Sequence, residues 1–346
     1  MRWLLNRLVA AFVRQANPER WHGFRLLAID STTLTLPETP PLWKRFGSHR
    51  GKKGLGPVGA EFACLFHLAT CTPIDYCLGK AATSDHSLIK RLFPRLRNHD
   101  LLLIDCGFYY LNTFLAILDK EAEFLIPSKS THRPKVVRKL AASDYLCHLD
   151  SKSYSLLVRV IYVERKGFRR RRLVTSLLDP QAFPAADLAE LYHLRWRVET
   201  FYRDFKHTLG ANHWHCRTPR TFEQELAGFL IIVCLMRQVM YAAAQQAGVE
   251  AARLSTARCL TQTRIWFRRL GRLCLSDWAT AYRRLVETCS RFLVAVKPGR
   301  SFSRDRQEYR RKSRGLEPKG GGRTPAPVTA TTRSKQEVRS DNCLLP

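Results

Sequence analysis

Acidic residues are scarce in this chain of 346 residues. It contains 29 Asp and Glu against 58 Lys and Arg, so its formal net charge is +29. Such an excess of positive charge favours a polyanionic partner, most commonly nucleic acid, with an anionic membrane surface as the alternative. Hydrophobic residues still make up 45% of the sequence, which is typical of a globular protein and not of a disordered one.

Long hydrophobic runs are also lacking. The longest, AGFLIIVCLM at residues 227–236, is shorter than the ~18 apolar residues that a membrane-spanning helix needs, so it predicts a buried helix. The N-terminal stretch MRWLLNRLVAAFVRQ has a basic start and a short apolar run, like a weak signal peptide. It has no convincing cleavage site, and its apolar spacing favours an amphipathic helix.

Paired cysteine motifs are absent from the sequence. The 11 cysteines include no CxxC pair and show no regular spacing, which indicates reduced, mostly buried thiols and a cytoplasmic protein. The stretch HWHC contains three residues of the types that bind zinc, namely His213, His215 and Cys216. No further ligands stand at the spacing of a zinc site, so a loop is the favoured interpretation.

What the sequence does contain is an alternation of short apolar strands and amphipathic helices, which predicts a mixed α/β fold. Basic, β-rich segments interrupt this alternation, and a polar, low-complexity stretch ends the chain. We therefore predict five segments in chain order: a short N-terminal helical segment (1–23), the first part of the α/β core (24–130), a β-rich insertion (131–178), the second part of the core with the C-terminal helices (179–296), and a basic, disordered tail (297–346).

Two of the predicted strands end in an aspartate. LLAID ends at Asp30 and LLLID ends at Asp105, so each carboxylate lies at the rim of a sheet beside a desolvated core. A single aspartate in this position is usually a turn initiator or a helix cap. Two such aspartates become a candidate site when a third carboxylate is available on a neighbouring helix.

A predicted helix of about 25 residues, from Pro184 to Gly210, supplies that carboxylate. On a helical wheel its polar residues Tyr192, Arg195, Glu199 and Lys206 share an arc of about 60°. A solvated face with i,i+4 ion pairs would produce the same pattern. Convergence with the two aspartates favours the alternative, because three neighbouring carboxylates repel one another unless a cation neutralises them.

Hard divalent ions such as Mg²⁺ prefer oxygen ligands and often bridge protein carboxylates and substrate phosphates. Two such ions about 4 Å apart can activate an attacking hydroxyl and stabilise a departing 3′ oxygen in phosphodiester chemistry. We therefore predict that Asp30, Asp105 and Glu199 hold Mg²⁺, for which Mn²⁺ substitutes. The aromatic side chains of Trp196 and Tyr202 beside this arc are predicted to pack in the core, with stacking on a base as the alternative.

At this point the sequence resembles a known family. The spacing Y-x2-R-x3-E-x6-K formed by Tyr192, Arg195, Glu199 and Lys206 is similar to the signature of bacterial insertion-sequence transposases of the YREK group, insertion sequence family four. Five blocks carry the resemblance over roughly residues 21–300, in the order in which the family has them: LLAIDSTTLTLP, RFGSHRGKKG, LLLIDCGFYY, LYHLRWRVETFYRDFKHTLG and RTPRTFEQEL.

The resemblance implies a ribonuclease-H-like catalytic fold with a β-rich insertion before the catalytic glutamate. It implies that Asp30, Asp105 and Glu199 are a metal-binding DDE triad, and that Tyr192 and its two cationic neighbours in the signature contact transposon-end DNA near the scissile phosphate. Cleavage and strand transfer would be successive in-line attacks at phosphorus. The partners would be the terminal inverted repeats and target DNA, both double-stranded, with a dimer acting in the synaptic complex.

The sequence departs from the family pattern in two places. Only 29 residues precede Asp30, where family members usually have a longer helical region that helps to recognise the inverted repeats, so a truncated chain or an internal start is expected. Cys106 stands where Arg, Ala or Ser is more common, and little effect is expected from it. A catalytically silent DNA-binding remnant and a nuclease of the same fold are therefore the alternatives to an active transposase.

Overall fold

The architecture was analysed in a computed structural model, which describes residues 1–51, 54–129, 134–151, 154–164 and 170–295. The tail predicted at 297–346 lies outside the described residues, and so do parts of the insertion predicted at 131–178. The side chain of Arg50 is likewise not described.

Ten strands form the sheet of the described chain. They are β1 (Arg25–Thr35), β2 (Ser48–Gly51), β3 (Gly54–His67), β4 (Thr72–Lys80), β5 (Asp100–Leu103), β6 (Glu123–Pro127), β7 (Lys135–Ala141), β8 (Asp144–Asp150), β9 (Ser155–Val163) and β10 (Arg171–Thr175).

Nine α-helices accompany these strands in the described chain, together with short 3-10 segments. The helices are α1 (Arg2–Ala16), α2 (Pro40–Phe46), α3 (Asp85–Ile89), α4 (Leu111–Leu118), α5 (Ala185–His193), α6 (Trp196–Arg203), α7 (Pro219–Gln246), α8 (Thr256–Leu270) and α9 (Trp278–Ser290).

The centre of the sheet has the order β4-β3-β1-β5-β6. Strands β4, β3 and β1 are antiparallel neighbours, while β1, β5 and β6 run parallel. Three antiparallel strands followed by two parallel strands, with helices on both faces, form the ribonuclease-H-like arrangement. The predicted fold class, a mixed sheet flanked by helices, is confirmed.

The strands between β6 and α5 continue this same sheet. Strand β10 pairs antiparallel with β6, and β9, β8 and β7 follow it in antiparallel order. Basic residues occupy the outermost strand: Lys135, Arg138 and Lys139 lie on β7 and are exposed. Exposed charge on an edge strand discourages pairing with another chain.

Two hydrophobic cores lie on opposite faces of the sheet. One contains buried side chains of α1, α6 and α7, and the other contains those of α3 and α4. Because side chains alternate along a strand, β1 contributes Ala28 to the first core and Leu27 and Ile29 to the second. Strand β1 is therefore buried from both sides up to the residue before Asp30.

The longest helix, α7, has 28 residues and begins with a capping box at Thr218 and Thr221. Its length, and the mean hydropathy of 1.9 over an apolar window of the helix, are sufficient to cross a membrane, which the shorter apolar run at 227–236 did not suggest. However, 56% of its apolar window is buried inside the protein. The helix packs on α1, α8 and α9, so we interpret it as a core helix.

Candidate active site

Strand β1 positions the first predicted carboxylate. Leu27 through Ile29 are fully buried, and the side chain of Asp30 that follows them is 20% exposed. The backbone N–H of Ser31 donates to Oδ1 of Asp30 at 2.9 Å. From the other side, the hydroxyl of Tyr202 on α6 donates to the carbonyl oxygen of Asp30 at 2.6 Å. Asp30 is thus fixed by its own strand and by the helix above it.

The second carboxylate lies just beyond β5. Because β1 and β5 are parallel neighbours, with Ala28 opposite Leu103, their carboxyl ends meet at one edge of the sheet. Asp105 caps the 3-10 turn that follows, and its Oδ2 accepts a hydrogen bond from the backbone N–H of Gly107 at 3.3 Å. The side chain of Asp105 is 43% exposed, so it is more accessible than that of Asp30.

The third carboxylate, Glu199, lies on α6, and here the structure corrects the prediction of one helix from Pro184 to Gly210. Helix α5 ends at His193, and the helical run closes in a π-helical turn at Asp204–Thr208. Between the two helices, backbone N–H groups donate to the carbonyl three residues earlier, at positions 195, 197 and 198. These tighter bonds rotate the chain more per residue than an α-helix does, so a uniform wheel does not describe this segment.

The guanidinium of Arg195 lies among the three carboxylates. Its Nη1 is 3.7 Å from Asp30 Oδ2, its Nη2 is 3.8 Å from Asp105 Oδ1, and Nη2 also donates a hydrogen bond to Glu199. The arginine side chain is only 5% exposed, and its Nε has no hydrogen-bond partner among the described residues. Three carboxylates around one guanidinium leave an excess of negative charge at this edge of the sheet.

The surroundings of Asp30 change the pKa of its carboxyl. Burial raises the pKa of its carboxyl from 3.8 to about 6. The hydrogen bond from Ser31 and the positive charge of Arg195 oppose this shift, whereas the negative charges of Glu199 and Asp105 add to it. An ionised Asp30 is therefore costly in the protein alone, first because its carboxyl is buried and second because two other acids lie nearby.

Two further signature residues attach the helical segment to the sheet. Tyr192 is buried, and its hydroxyl donates to the carbonyl oxygen of Ile104 at 3.1 Å, one residue before Asp105. Lys206 Nζ donates to Thr32 Oγ1 at 2.6 Å and to the carbonyl oxygen of Thr33 at 2.8 Å. Tyr192 presents little surface to DNA in this arrangement, so a DNA-binding role for these residues stays a prediction.

Tyr202 shows what the sequence interpretation missed. Its ring packs in the core as predicted, but its hydroxyl also accepts from the backbone N–H of Cys64 at 3.2 Å while it donates to Asp30. The sequence contained an indication of this contact, because Tyr202 stands three residues after Glu199, a spacing that places both on the same side of a helix. The prediction that Trp196 packs in the core is wrong, because its side chain is 41% exposed, with its ring 5.6 Å from the guanidinium of Arg195.

The chemistry of the donors suits a hard divalent cation. The three acids are oxygen donors, they carry more negative charge than Arg195 neutralises, and burial penalises Asp30 when it is ionised. In this conformation, no three His, Cys, Asp or Glu side chains of the described chain are close enough together to hold a metal ion. The guanidinium separates the acids, so metal binding at this cluster requires Arg195 to move.

The HWHC stretch is arranged as a loop. Both oxygens of Glu225 accept from the backbone N–H of His215, at 3.2 and 3.1 Å, and one also accepts from the N–H of Cys216. Nδ1 of His215 lies 3.1 Å from the same carboxylate. Glu225 is thereby used to hold the turn before α7.

Known proteins resemble this chain over the same region. A family model described as "Transposase DDE domain" matches residues 21–235. The chain is 28% identical to "Transposase InsG for insertion sequence element IS4" of Escherichia coli (strain K12) over 236 residues, which are 64% of this chain and 53% of that protein. It is 22% identical to "Probable transposase for insertion sequence element IS5377" of Geobacillus stearothermophilus over 271 residues, 74% of this chain and 68% of the relative.

Among solved structures, a cryo-EM structure of the piggyBac transposase synaptic complex with hairpin DNA matches 82% of this chain and 60% of that chain. The TM-score is 0.44 and the sequence identity 14%. The chain spans about half the length of the first of the two curated relatives.

Proposed function

The chain belongs to the transposase DDE domain family, and from this membership we propose that it is a DNA transposase of a bacterial insertion sequence. It cuts DNA at the ends of the element and joins the freed strands to target DNA. The observation that carries the proposal is the meeting of Asp30, Asp105 and Glu199 around one buried guanidinium. These acids come from two neighbouring parallel strands and from the helix that packs above them.

Catalysis in this family depends on a divalent metal, and we propose Mg²⁺, with Mn²⁺ as a substitute. Asp30, Asp105 and Glu199 would hold it. When bound, the metal supplies a Lewis acid that activates an attacking hydroxyl and stabilises the departing 3′ oxygen. The hydrogen bonds from Ser31 and Gly107 orient the two aspartates for this role.

Arg195 has two roles in this proposal. In the protein alone its guanidinium offsets part of the repulsion among the acids. Once another cation takes over that task, the guanidinium is released to bind a phosphate of the DNA, for which its planar set of donors is well suited. Lys206, at the far end of the helical segment, would contact a phosphate beside the scissile one, as the family resemblance implies.

The proposed partners are double-stranded DNA, as the terminal inverted repeats and as the target, and a second copy of the chain in the synaptic complex. The net charge of +29 supports a polyanionic partner. A protein that acts on bacterial DNA would work in the cytoplasm.

An end-joining assay tests this function. The full chain would be incubated with Mg²⁺, a labelled duplex that carries the inverted repeat flanking its own gene, and a supercoiled target plasmid. A labelled strand joined to the plasmid supports the transposase. Cleaved duplex without joined product indicates a nuclease, and binding without any cleavage indicates a silent remnant. Asp105→Asn is the matched control, because it removes one charge from the cluster and leaves the basic surface intact.

A further inference from the structure

A separate cavity lies at the end of the sheet opposite to the carboxylates. It has a volume of about 770 Å³ and lies between α1, the start of β1, the turn after β3 and the loop before β5. We call it the α1 groove. Arg25 lines it, and Asp30 stands five residues further along β1, which is about 16 Å at 3.3 Å per residue. The α1 groove is therefore distinct from the proposed active site.

Six arginines line the α1 groove. Aspartates neutralise two of them, in the ion pairs Arg25–Asp100 and Arg95–Asp75. Four have no carboxylate within ion-pair distance in the part of the chain that the structure describes: Arg7, Arg14, Arg20 and Arg97. Glu19 is the remaining acid of the lining, so four cations against one anion leave a charge of +3.

The inner wall of the groove contains two uncharged polar side chains, His67 and Asn6. His67 is buried there, and burial, together with the positive charges of Arg25 and Arg20, lowers its pKa to about 4. This imidazole therefore stays neutral at physiological pH. Asn6 also lines the groove, and its Oδ1 is buried without a hydrogen-bond partner among the described residues. Because Oδ1 is an acceptor, it needs a donor from a ligand, such as a hydroxyl or an amino group, and not a phosphate oxygen.

An aromatic ring stands at the rim of the groove. Trp3 is 68% exposed, and the guanidinium of Arg7 lies over it, 5.1 Å from its centroid. Apolar side chains such as Val13 and Ile74 line the wall between this rim and the arginines. An exposed indole beside unpaired guanidiniums offers one surface for a base and another for phosphates.

We propose that the α1 groove binds a free nucleotide that carries two or three phosphates. Its volume falls within the ~300–1,000 Å³ of small-ligand sites. The unpaired arginines match the charge of a di- or triphosphate, and the indole of Trp3 stacks on the base. A DNA duplex would reach these arginines with the phosphates at its edge and would leave the inner wall of the groove unfilled. The inference stands independently of the proposed function, because none of these residues belongs to the carboxylate cluster.

Calorimetric titration of the full chain tests the site. ATP, ADP and inorganic tripolyphosphate would be titrated at an ionic strength of about 0.15 M, where charges more than about 8 Å apart are screened. The variants are Arg14→Ala with Arg97→Ala, and Trp3→Ala. Arg283→Ala is the control, because it removes an exposed arginine of α9 that does not line the groove. The changed side chains are all exposed, and circular dichroism would verify that each variant is folded.

We expect ATP to bind at one site per chain. The double arginine variant should lower the affinity for ATP and for tripolyphosphate about tenfold or more. Trp3→Ala should lower the affinity for ATP several-fold while changing that for tripolyphosphate less than twofold. Arg283→Ala should change neither. The proposal is overturned if ATP does not bind, if Arg283→Ala weakens it as much as the double variant, or if Trp3→Ala leaves ATP unchanged. It is also overturned if the binding of a 20-base-pair DNA duplex depends on Arg14 and Arg97 whereas the binding of ATP does not.

Discussion

Two buried arginines, Arg159 and Arg195, bind carboxylates in different parts of this molecule. Arg159 on β9 is fully buried and faces one acid, Asp144, while its Nη1 donates to the carbonyl oxygens of Asp179 and Phe183 at 3.2 and 2.6 Å. Arg195 faces three acids, and its Nε has no partner. The first arginine has matched charge and satisfied donors, whereas the second has neither.

This difference separates a structural ion pair from a candidate reaction site. A buried pair that is neutral and fully hydrogen-bonded fixes the fold, and removing one partner leaves an uncompensated charge. A cluster with surplus negative charge stabilises the fold poorly, but it attracts a further cation. We therefore expect substitutions at Arg159 to change stability and substitutions at the carboxylates to change activity.

The largest effect is expected from Asp105→Asn. This change removes one of the three negative charges and keeps the shape of the side chain, so it should lower single-turnover cleavage of an end-containing duplex about a thousandfold or more, as expected for the loss of a metal-binding charge. Affinity for the same duplex, measured without metal by fluorescence anisotropy, should stay within about threefold. If Asp105→Asn cleaves at nearly the parent rate, Asp105 is not part of the active site.

At the ion pair between Arg159 and Asp144, we expect a loss of stability without a loss of cleavage. Arg159→Leu leaves Asp144 buried without its partner, and it should lower the free energy of unfolding by about 3–5 kcal/mol. Urea unfolding would measure this loss. Cleavage per folded molecule should equal that of the parent, because Arg159 contacts no member of the carboxylate cluster. If Asp105→Asn destabilised the chain as much as Arg159→Leu does, the distinction between the two arginines would fail.

The raised pKa of Asp30 predicts a dependence of stability on pH in the metal-free protein. Because its pKa rises from 3.8 to about 6 on folding, the folded chain binds a proton more tightly than the unfolded chain does. The resulting stability is fully present below pH ~4 and is lost as the pH rises through about 6, a change of about 3 kcal/mol.

Asp30→Asn isolates this contribution. The difference in unfolding free energy, parent minus variant, should decrease between pH ~4 and pH ~7 in a chelating buffer, since asparagine does not titrate. A difference that is constant over this range would show that the Asp30 carboxyl has the same pKa in the folded and unfolded chains.

The smallest effect is expected at the end of the helical segment. Lys206→Ala removes hydrogen bonds to Thr32 and Thr33, close to Asp30, and should reduce single-turnover cleavage about tenfold. Arg203→Ala is the matched control, because its side chain is 68% exposed and its Nη2 lies 3.8 Å from Asp204 Oδ1, whereas Lys206 bonds to β1. Cleavage that falls more in Arg203→Ala than in Lys206→Ala would show that the wrong face has been assigned.

The sheet and its two carboxylates were predictable because they depend on local patterns. The runs that end at Asp30 and Asp105 are continuous apolar strands, and both strands lie in the centre of the observed sheet. Glu199 was predictable from its place in the spaced signature with Tyr192, Arg195 and Lys206.

The positions of Arg195 and Tyr192 were not predictable in the same way. A uniform wheel places both on an exposed polar arc, but the 3-10 bonds around residue 195 break that uniformity. Whether an arginine is exposed or lies between carboxylates also depends on β1 and β5, which are more than 80 residues away in the chain. The burial of Tyr192 follows from its bond to Ile104, a contact that no local pattern contains.

The most direct test of the account is metal rescue at the carboxylates. Asp30→Cys and Asp105→Cys each replace an oxygen donor with sulfur, which binds Mn²⁺ far better than Mg²⁺, and Asp119→Cys changes an exposed acid outside the cluster. Single-turnover cleavage would be measured in each metal. We expect both cluster variants to lose cleavage in Mg²⁺ and to regain a measurable part of it in Mn²⁺, while Asp119→Cys cleaves like the parent in both. Cleavage by the cluster variants that is equal in the two metals would contradict metal binding by Asp30 and Asp105.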